Sequence, residues 1–394
     1  MVQIWPMLGA RIAGVMLASI DVVGAMVPPH LLSRAAAQSF DRQYVVPQPT
    51  ANDDKADWWW MNAQAEAGVN GNPPANVQVI FYMGYLLGRP SADAPEFYAT
   101  ITGLFSNGSD FSYTADATKA SVTSVGSETI GSWPGVGSFL STPGKSFDVV
   151  ISAPGVEGAI SIQGSVAPAH YACNTTTSAV FSDFAPAAST SEESVLFSHL
   201  GWAVSIPGGR ASVSLVLGGS PLTFVGTGYH DQNFIDTSDM FADVISQWFF
   251  GTAQVGEYVF SYLSATPFGS NATVTTGYLA RNDIVLQNQC SVSATGTSTE
   301  TQATNTNKLT RFGVIHSEAS AVDVPQGYTI DYVLSNGERY SFTLTEQAEV
   351  VDLDVYHRSI GNVSGGKVGE PAKTAVGLWE WLNPGKNVYV AKSA

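Results

Sequence analysis

The stretch Tyr328-Thr-Ile-Asp-Tyr-Val-Leu-Ser335, Asn336-Gly337, Glu338-Arg-Tyr-Ser-Phe-Thr-Leu344 decides the fold class. Two strand-like runs flank Asn-Gly, the pair that most readily takes the left-handed backbone of a tight hairpin turn. The same period of two recurs at Val77, Val79 and Phe81 and over Ser212 to Leu217, the alternation of half-buried strands. A second hairpin is expected through Pro207-Gly208-Gly209. One segment has helical spacing: Met240, Phe241, Val244, Ile245 and Trp248, behind Ser238 and Asp239 as cap residues. The 38 Gly and 20 Pro in 394 residues suit strands joined by turns. An all-β chain with few helices is expected.

At roughly 150 residues per domain, the length allows two or three domains, or two large β ones. Ser291 to Lys308 has nothing to bury and reads as a surface loop or linker. A first β domain is expected over 38–269 and a second over 277–394. Residues 1–37 read as a leader: Arg11, the apolar run Ile12 to Val27 and small residues Ala35 to Ala37 before Gln38 make a secretory signal-peptide pattern. A buried first strand is the plainer alternative, and the run is short of the ~20 residues that span a bilayer. Four Asn-x-Ser/Thr sequons, at Asn107, Asn174, Asn271 and Asn362, point to the secretory pathway as well. The only cysteines, Cys173 and Cys290, close one disulfide or remain two buried thiols.

Lys plus Arg number 17 against 33 Asp plus Glu, a net charge of −16 that repels nucleic acid. No Gly-x-Ser-x-Gly, His-Glu-x-x-His or Gly-x-x-x-x-Gly-Lys is present, and the six histidines show no ligand spacing, so no metal site is expected. What stands out is aromatic: Asp57-Trp58-Trp59-Trp60-Met61-Asn62, Gly226-Thr-Gly-Tyr-His-Asp-Gln-Asn-Phe234, Gln247-Trp248-Phe249-Phe250-Gly251 and Trp379-Glu380-Trp381. On a strand, Trp58, Trp60 and Asn62 share one face and Asp57, Trp59 and Met61 the other. One face can line a cavity while the other fills a core; equally, all these tryptophans can be core. Likewise Tyr229, Asp231 and Asn233 oppose His230 and Gln232. An aspartate among aromatics is desolvated, which raises its pKa and suits it to donate a proton near neutral pH. The plainer reading is that His230 and Asp231 satisfy a turn and nearby backbone.

The order of these segments, with Gly-Tyr-His-Asp-x-Asn followed by Trp-x-x-Gly, resembles the carotenoid 1,2-hydratase-like family from about Asp57 to Trp381. It is most similar to the fungal branch of Diels-Alderases in natural-product biosynthesis. The family has Trp-Gly after the Asn, where this chain has Phe234-Ile235. The resemblance implies two lipocalin-like β domains, a sandwich and a barrel, an apolar pocket near their interface, a polyene or terpenoid substrate and no cofactor. With the leader and sequons, the chain is most like the hetero-Diels-Alderases of tropolone sesquiterpenoid pathways, which join an o-quinone methide to a humulene-type olefin. In that reading Tyr229, His230 or Asn233 polarises the enone-like oxygen and Asp231 assists loss of water. Trp58, Trp60, Asn62, Trp248, Phe250, Trp379 and Trp381 then hold the hydrocarbon. A decalin-forming Diels-Alderase, a terpenoid hydratase or dehydratase, and a non-catalytic lipocalin-like carrier are the alternatives.

Overall fold

The computed structural model describes residues 40–44, 55–86, 94–174, 200–236, 241–294 and 304–390. Ser39–Ala394 is one compact unit, to which everything below belongs; the expected leader, 1–37, lies outside the described residues.

The structure is almost entirely β, with two large antiparallel sheets. Inside the first lies Lys55–Ala65, paired on one side with Asn76–Gly84 and on the other with Ser220–Asp236. Beyond Asn76–Gly84 come Phe97–Leu104 and then Asp110–Ala117 at the edge. The other flank continues through Leu200–Leu217 and Val156–Gln163 to Ser121–Val125, giving a half-barrel. Lys55–Ala65 is covered on both faces, which is why its sequence is apolar throughout. By contrast Leu200–Leu217 alternates buried and exposed from Arg210 onward, as Ser212 to Leu217 predicts.

The second sheet runs in space from Ile284–Ala294 through Ala272–Arg281, Tyr258–Pro267, Ile245–Val255, Lys373–Leu382, Tyr356–Lys367, Arg339–Leu353 and Gly327–Val333 to Thr306–Phe312. Asn307 ties the two edges: its backbone N–H donates to Ser291 Oγ at 2.8 Å and its Nδ2 to the Gln289 carbonyl at 2.7 Å. These bonds nearly close a barrel and satisfy groups that a bare edge leaves open. The Asn336-Gly337 hairpin forms as expected, with Gly337 at φ 83°.

Some local expectations are corrected. Pro207-Gly208-Gly209 is no hairpin but an irregularity within Leu200–Leu217, where pairing shifts between Ile206 and Gly209. The reversal falls instead at Gly218 and Gly219, both in the left-handed region. The helix is one turn, Phe241–Val244, and Trp248 belongs to the strand Ile245–Val255; pairing on both sides of this aromatic segment overrides its helical spacing. Ser238, Asp239 and Met240 lie outside the described residues. Ser291–Ala294 and Thr306–Lys308 are strand rather than linker. The chain changes sheet between Asp236 and Ile245, so Pro267–Ala272 is a turn inside the second sheet. Cys173 and Cys290 form a disulfide, Cα–Cα 4.7 Å, that clips the segment after His170–Tyr171, which pairs with the first sheet, to Ile284–Ala294 of the second. Among the described residues no helix is long and apolar enough to cross a membrane.

Candidate active site

Residues directly opposite in antiparallel pairs share a face, so the registers give the site its walls. On the first sheet Asp231 stands beside Trp60, then Ile80 and Thr100; Asn233 stands beside Trp58, then Tyr82 and Tyr98. On the second sheet Leu263, Phe250, Glu380, Arg358 and Val351 form one row, and Trp248, Leu382, Tyr356 and Leu353 the next. These rows enclose a cavity of about 1000 Å³ between the sheets, closed further by Phe241. Trp58 stacks near Trp248 at 6.4 Å, and Trp60 meets Phe250 edge-on at 5.3 Å.

Asp231 is the carboxyl of the first sheet's tryptophan wall. Its Oδ2 accepts from Trp202 Nε1 and from the Tyr229 hydroxyl, each at 2.8 Å, and Oδ1 accepts from Asn233 Nδ2 at 2.9 Å. Burial pushes its pKa up to about 7, overcoming the downward pull of the Trp202 and Tyr229 donors. Oδ1, with one donor against two on Oδ2, is the oxygen with room for a proton. The group can therefore give a proton near neutral pH and take one back. The indole N–H groups of Trp60 and Trp248 have no acceptor among the described residues.

Across the cavity lies a second polar cluster. Arg358 donates from Nε to Glu380 Oε1 at 2.7 Å, from Nη1 to Thr102 Oγ1 at 2.9 Å and from Nη2 to the Tyr356 hydroxyl at 2.5 Å. Its guanidinium also lies 5.8 Å from the Trp60 ring centroid.

Residues 80–383 match the Diels-Alderase-like family. The chain belongs to that family. Among its relatives are the quinolone epoxide rearrangement protein penF of Penicillium thymicola, 27% identical over 82% of this chain and 83% of that one, and asqO of Emericella nidulans, 23% identical over 81% and 80%. The crystal structure of CghA with Sch210972 shares the fold: TM-score 0.63 at 16% identity, covering 88% of this chain and 97% of CghA.

In Trp248-x-x-Gly251 the glycine is obligatory, since a Cβ at 251 would stand 2.5 Å from the buried Tyr262 ring. Phe234 stacks on Tyr44 at 4.3 Å, in space left by Gly201. Asp231, Asn233, Trp58, Trp60, Trp248 and Phe250 all line the cavity. Tyr229 is one step back, acting on Asp231.

Three expected site residues lie elsewhere, and one reaches the cavity only through others. His230 faces the half-barrel core: Nδ1 meets the Trp60 carbonyl at 2.8 Å, Nε2 meets Asp41 at 3.0 Å, and Phe147 stacks on it at 3.4 Å. Strand alternation puts it on the side opposite Asp231, so it polarises nothing in the cavity. Trp379 and Trp381 belong to the barrel core, and the residue between them, Glu380, faces the cavity. Asn62 is tied into an amide chain with Gln64 and Gln78.

Arg358, Glu380, Tyr356 and Thr102 are cavity residues that the sequence reading did not select. Glu380 stood in a quoted motif; Arg358 carried no local signal, because its partner is 22 residues away on the next strand. The structure also gathers Glu349, Asp352 and His357, with His357 Nδ1 3.2 and 3.1 Å from the two carboxylates. Asp352 also accepts from Ser317 Oγ at 2.6 Å. Of the sequon asparagines, Asn107, Asn271 and Asn362 are exposed, and the Asn174 side chain lies outside the described residues.

Proposed function

We propose that this chain is an enzyme that closes rings, by folding a hydrophobic substrate against the tryptophan wall while Asp231 moves a proton. The observation that carries this is the aromatic cavity of about 1000 Å³ with one carboxyl, raised to about 7, on that wall. A volume at the upper end of small-molecule sites has room for two reacting partners. Holding them in near-attack geometry supplies up to roughly 7–11 kcal/mol without a strong base or acid.

The preferred reaction is a stereoselective hetero-Diels-Alder addition of a tropolone o-quinone methide to a humulene-type sesquiterpene. A hydroxymethyl-tropolone loses water as Asp231 gives its proton to the departing hydroxyl and the C–O bond breaks. The tropolone O–H proton then returns to the Asp231 carboxylate, leaving the heterodiene. One C–C and one C–O bond form with the olefin, with no further proton or electron lost. The test is incubation of purified protein with the precursor and a humulene-type alcohol, read by chiral chromatography. A single stereoisomer formed faster than in buffer is expected; a mixture at the buffer rate contradicts the proposal.

A second reading is acid-assisted rearrangement of an epoxide, favoured by the names of penF and asqO, which align over four-fifths of their length. The same proton would go to the epoxide oxygen as its C–O bond opens. Turnover of a lone quinolone epoxide, with no olefin partner, separates the two. We also propose passage through the secretory pathway, supported by the disulfide and by the exposed sequon asparagines.

A further inference from the structure

Arg358 is a buried cation on the wall of an apolar cavity, its side chain only 2% exposed. For stability alone an apolar pair would serve as well or better, since burying ions costs more than their attraction commonly returns. The guanidinium has five N–H donors. Glu380, Thr102 and Tyr356 take three, and no other acceptor is present among the described residues.

The group is also held with unusual care. Thr102, which accepts from Arg358, donates to Gln78 Oε1 at 3.5 Å; Gln78 Nε2 donates to Asn62 Oδ1 at 3.1 Å; Asn62 Nδ2 donates to Gln64 Oε1 at 3.2 Å; Gln64 Nε2 donates to the Val376 carbonyl at 2.8 Å. This chain starts on the second sheet, crosses a row of the first and returns to the second. Such a network fixes the guanidinium in one place, as recognition requires.

Building on the function proposed above, we propose that the substrate carries a hydroxy-carbonyl pair, such as an enolised dicarbonyl or a hydroxy-enone, and that Arg358 with Glu380 docks it. Spare N–H donors beside a carboxylate match a carbonyl acceptor next to a hydroxyl donor. A simple carboxylate would meet the charge of Glu380. The arrangement places the oxygen-bearing end of the substrate on the sheet facing Asp231, and the carbonyl is polarised by the guanidinium. Asn62 is then a positioning residue, acting through Gln78 and Thr102.

The probe is 3-hydroxyflavone, a neutral hydroxy-enone, against its O-methyl ether, with binding read by quenching of the wall tryptophans. The wild-type chain is expected to hold the hydroxy compound about tenfold more tightly. Arg358→Gln is expected to weaken both probes, since both keep the carbonyl, and to erase the preference as Glu380 loses the partner that holds it. Should that variant fold poorly, Thr102→Val keeps the ion pair and is expected to narrow the preference to a few-fold. Equal Kd for the two probes in the wild type, or a preference intact in the variants, overturns the proposal. Binding is read without turnover, so failure of the cycloaddition assay leaves this result standing, and equal binding leaves the Asp231 chemistry standing.

Discussion

Along Ser220–Asp236, Tyr229, Asp231 and Asn233 point to the cavity side, whereas His230 and Gln232 point into the half-barrel. Both sides are buried and both are hydrogen-bonded, yet they differ in what the bonds accomplish. On the inner side several of the bonds tie down the segment at Phe40–Tyr44. His230 meets Asp41, Ser141 Oγ donates to the same carboxylate at 2.5 Å, Trp59 Nε1 donates to the Asp41 carbonyl and Gln232 Nε2 to the Arg42 carbonyl. On the cavity side the bonds converge on one carboxyl that opens onto free volume. A polar residue in a strand motif is thus structural or chemical according to which face it occupies, not according to its type.

Substitutions can break this division. Replacing Asp231 by Asn removes the proton donor while keeping the shape, and turnover should fall by roughly 10²–10⁴-fold with the fold intact, as measured by initial rates and circular dichroism. Unchanged turnover would move the chemistry elsewhere. The paired change Cys173→Ser with Cys290→Ser opens a link across 117 residues and should lower unfolding free energy by about 3–4 kcal/mol in denaturant titration. Replacing His230 by Ala removes the imidazole from between Asp41 and the Trp60 carbonyl, and should cost about 2–3 kcal/mol of stability. Turnover per folded molecule should stay the same in that variant, and a large loss there would erase the distinction between the faces.

The smallest effect sharpens the comparison. Because the Asp231 pKa is raised, its acid form is filled below about pH 7 and emptied above it. Wild-type turnover should therefore be level below pH 7 and fall toward about tenfold per unit above it. The Asp231→Asn profile should lack this limb.

How much of this was legible in the sequence depends on the distance over which each feature is encoded. Alternation is local, so the common face of Trp58 and Trp60, and that of Asp231 and Asn233, could be read directly. The hairpin at Asn336-Gly337 is local too. Trp379-Glu380-Trp381 shows the limit: the tripeptide says that its middle residue opposes its neighbours but not which side is the cavity. The tryptophans fill the barrel core and Glu380 faces the site. Arg358 meets Glu380 and Thr102 only through strand register and sheet packing, which no short window contains. The plainer reading of His230, as a group that satisfies nearby backbone, agrees with its bond to the Trp60 carbonyl, whereas its other partner, Asp41, is 189 residues away in a segment without a pattern. The helical spacing from Phe241 to Trp248 failed because sheet pairing outweighs local preference in an aromatic run.

On this reading a carboxyl in the cavity keeps its proton close to neutral pH. Infrared difference spectroscopy between the wild-type protein and Asp231→Asn reads that proton directly, and the subtraction removes Glu346, whose pKa burial likewise raises to about 7. A protonated-carboxyl band at pH 6 that titrates away with a midpoint near 7 is expected. A carboxylate band already complete at pH 6 would mean that the Trp202, Tyr229 and Asn233 donors outweigh burial, and would contradict Asp231 as the proton donor.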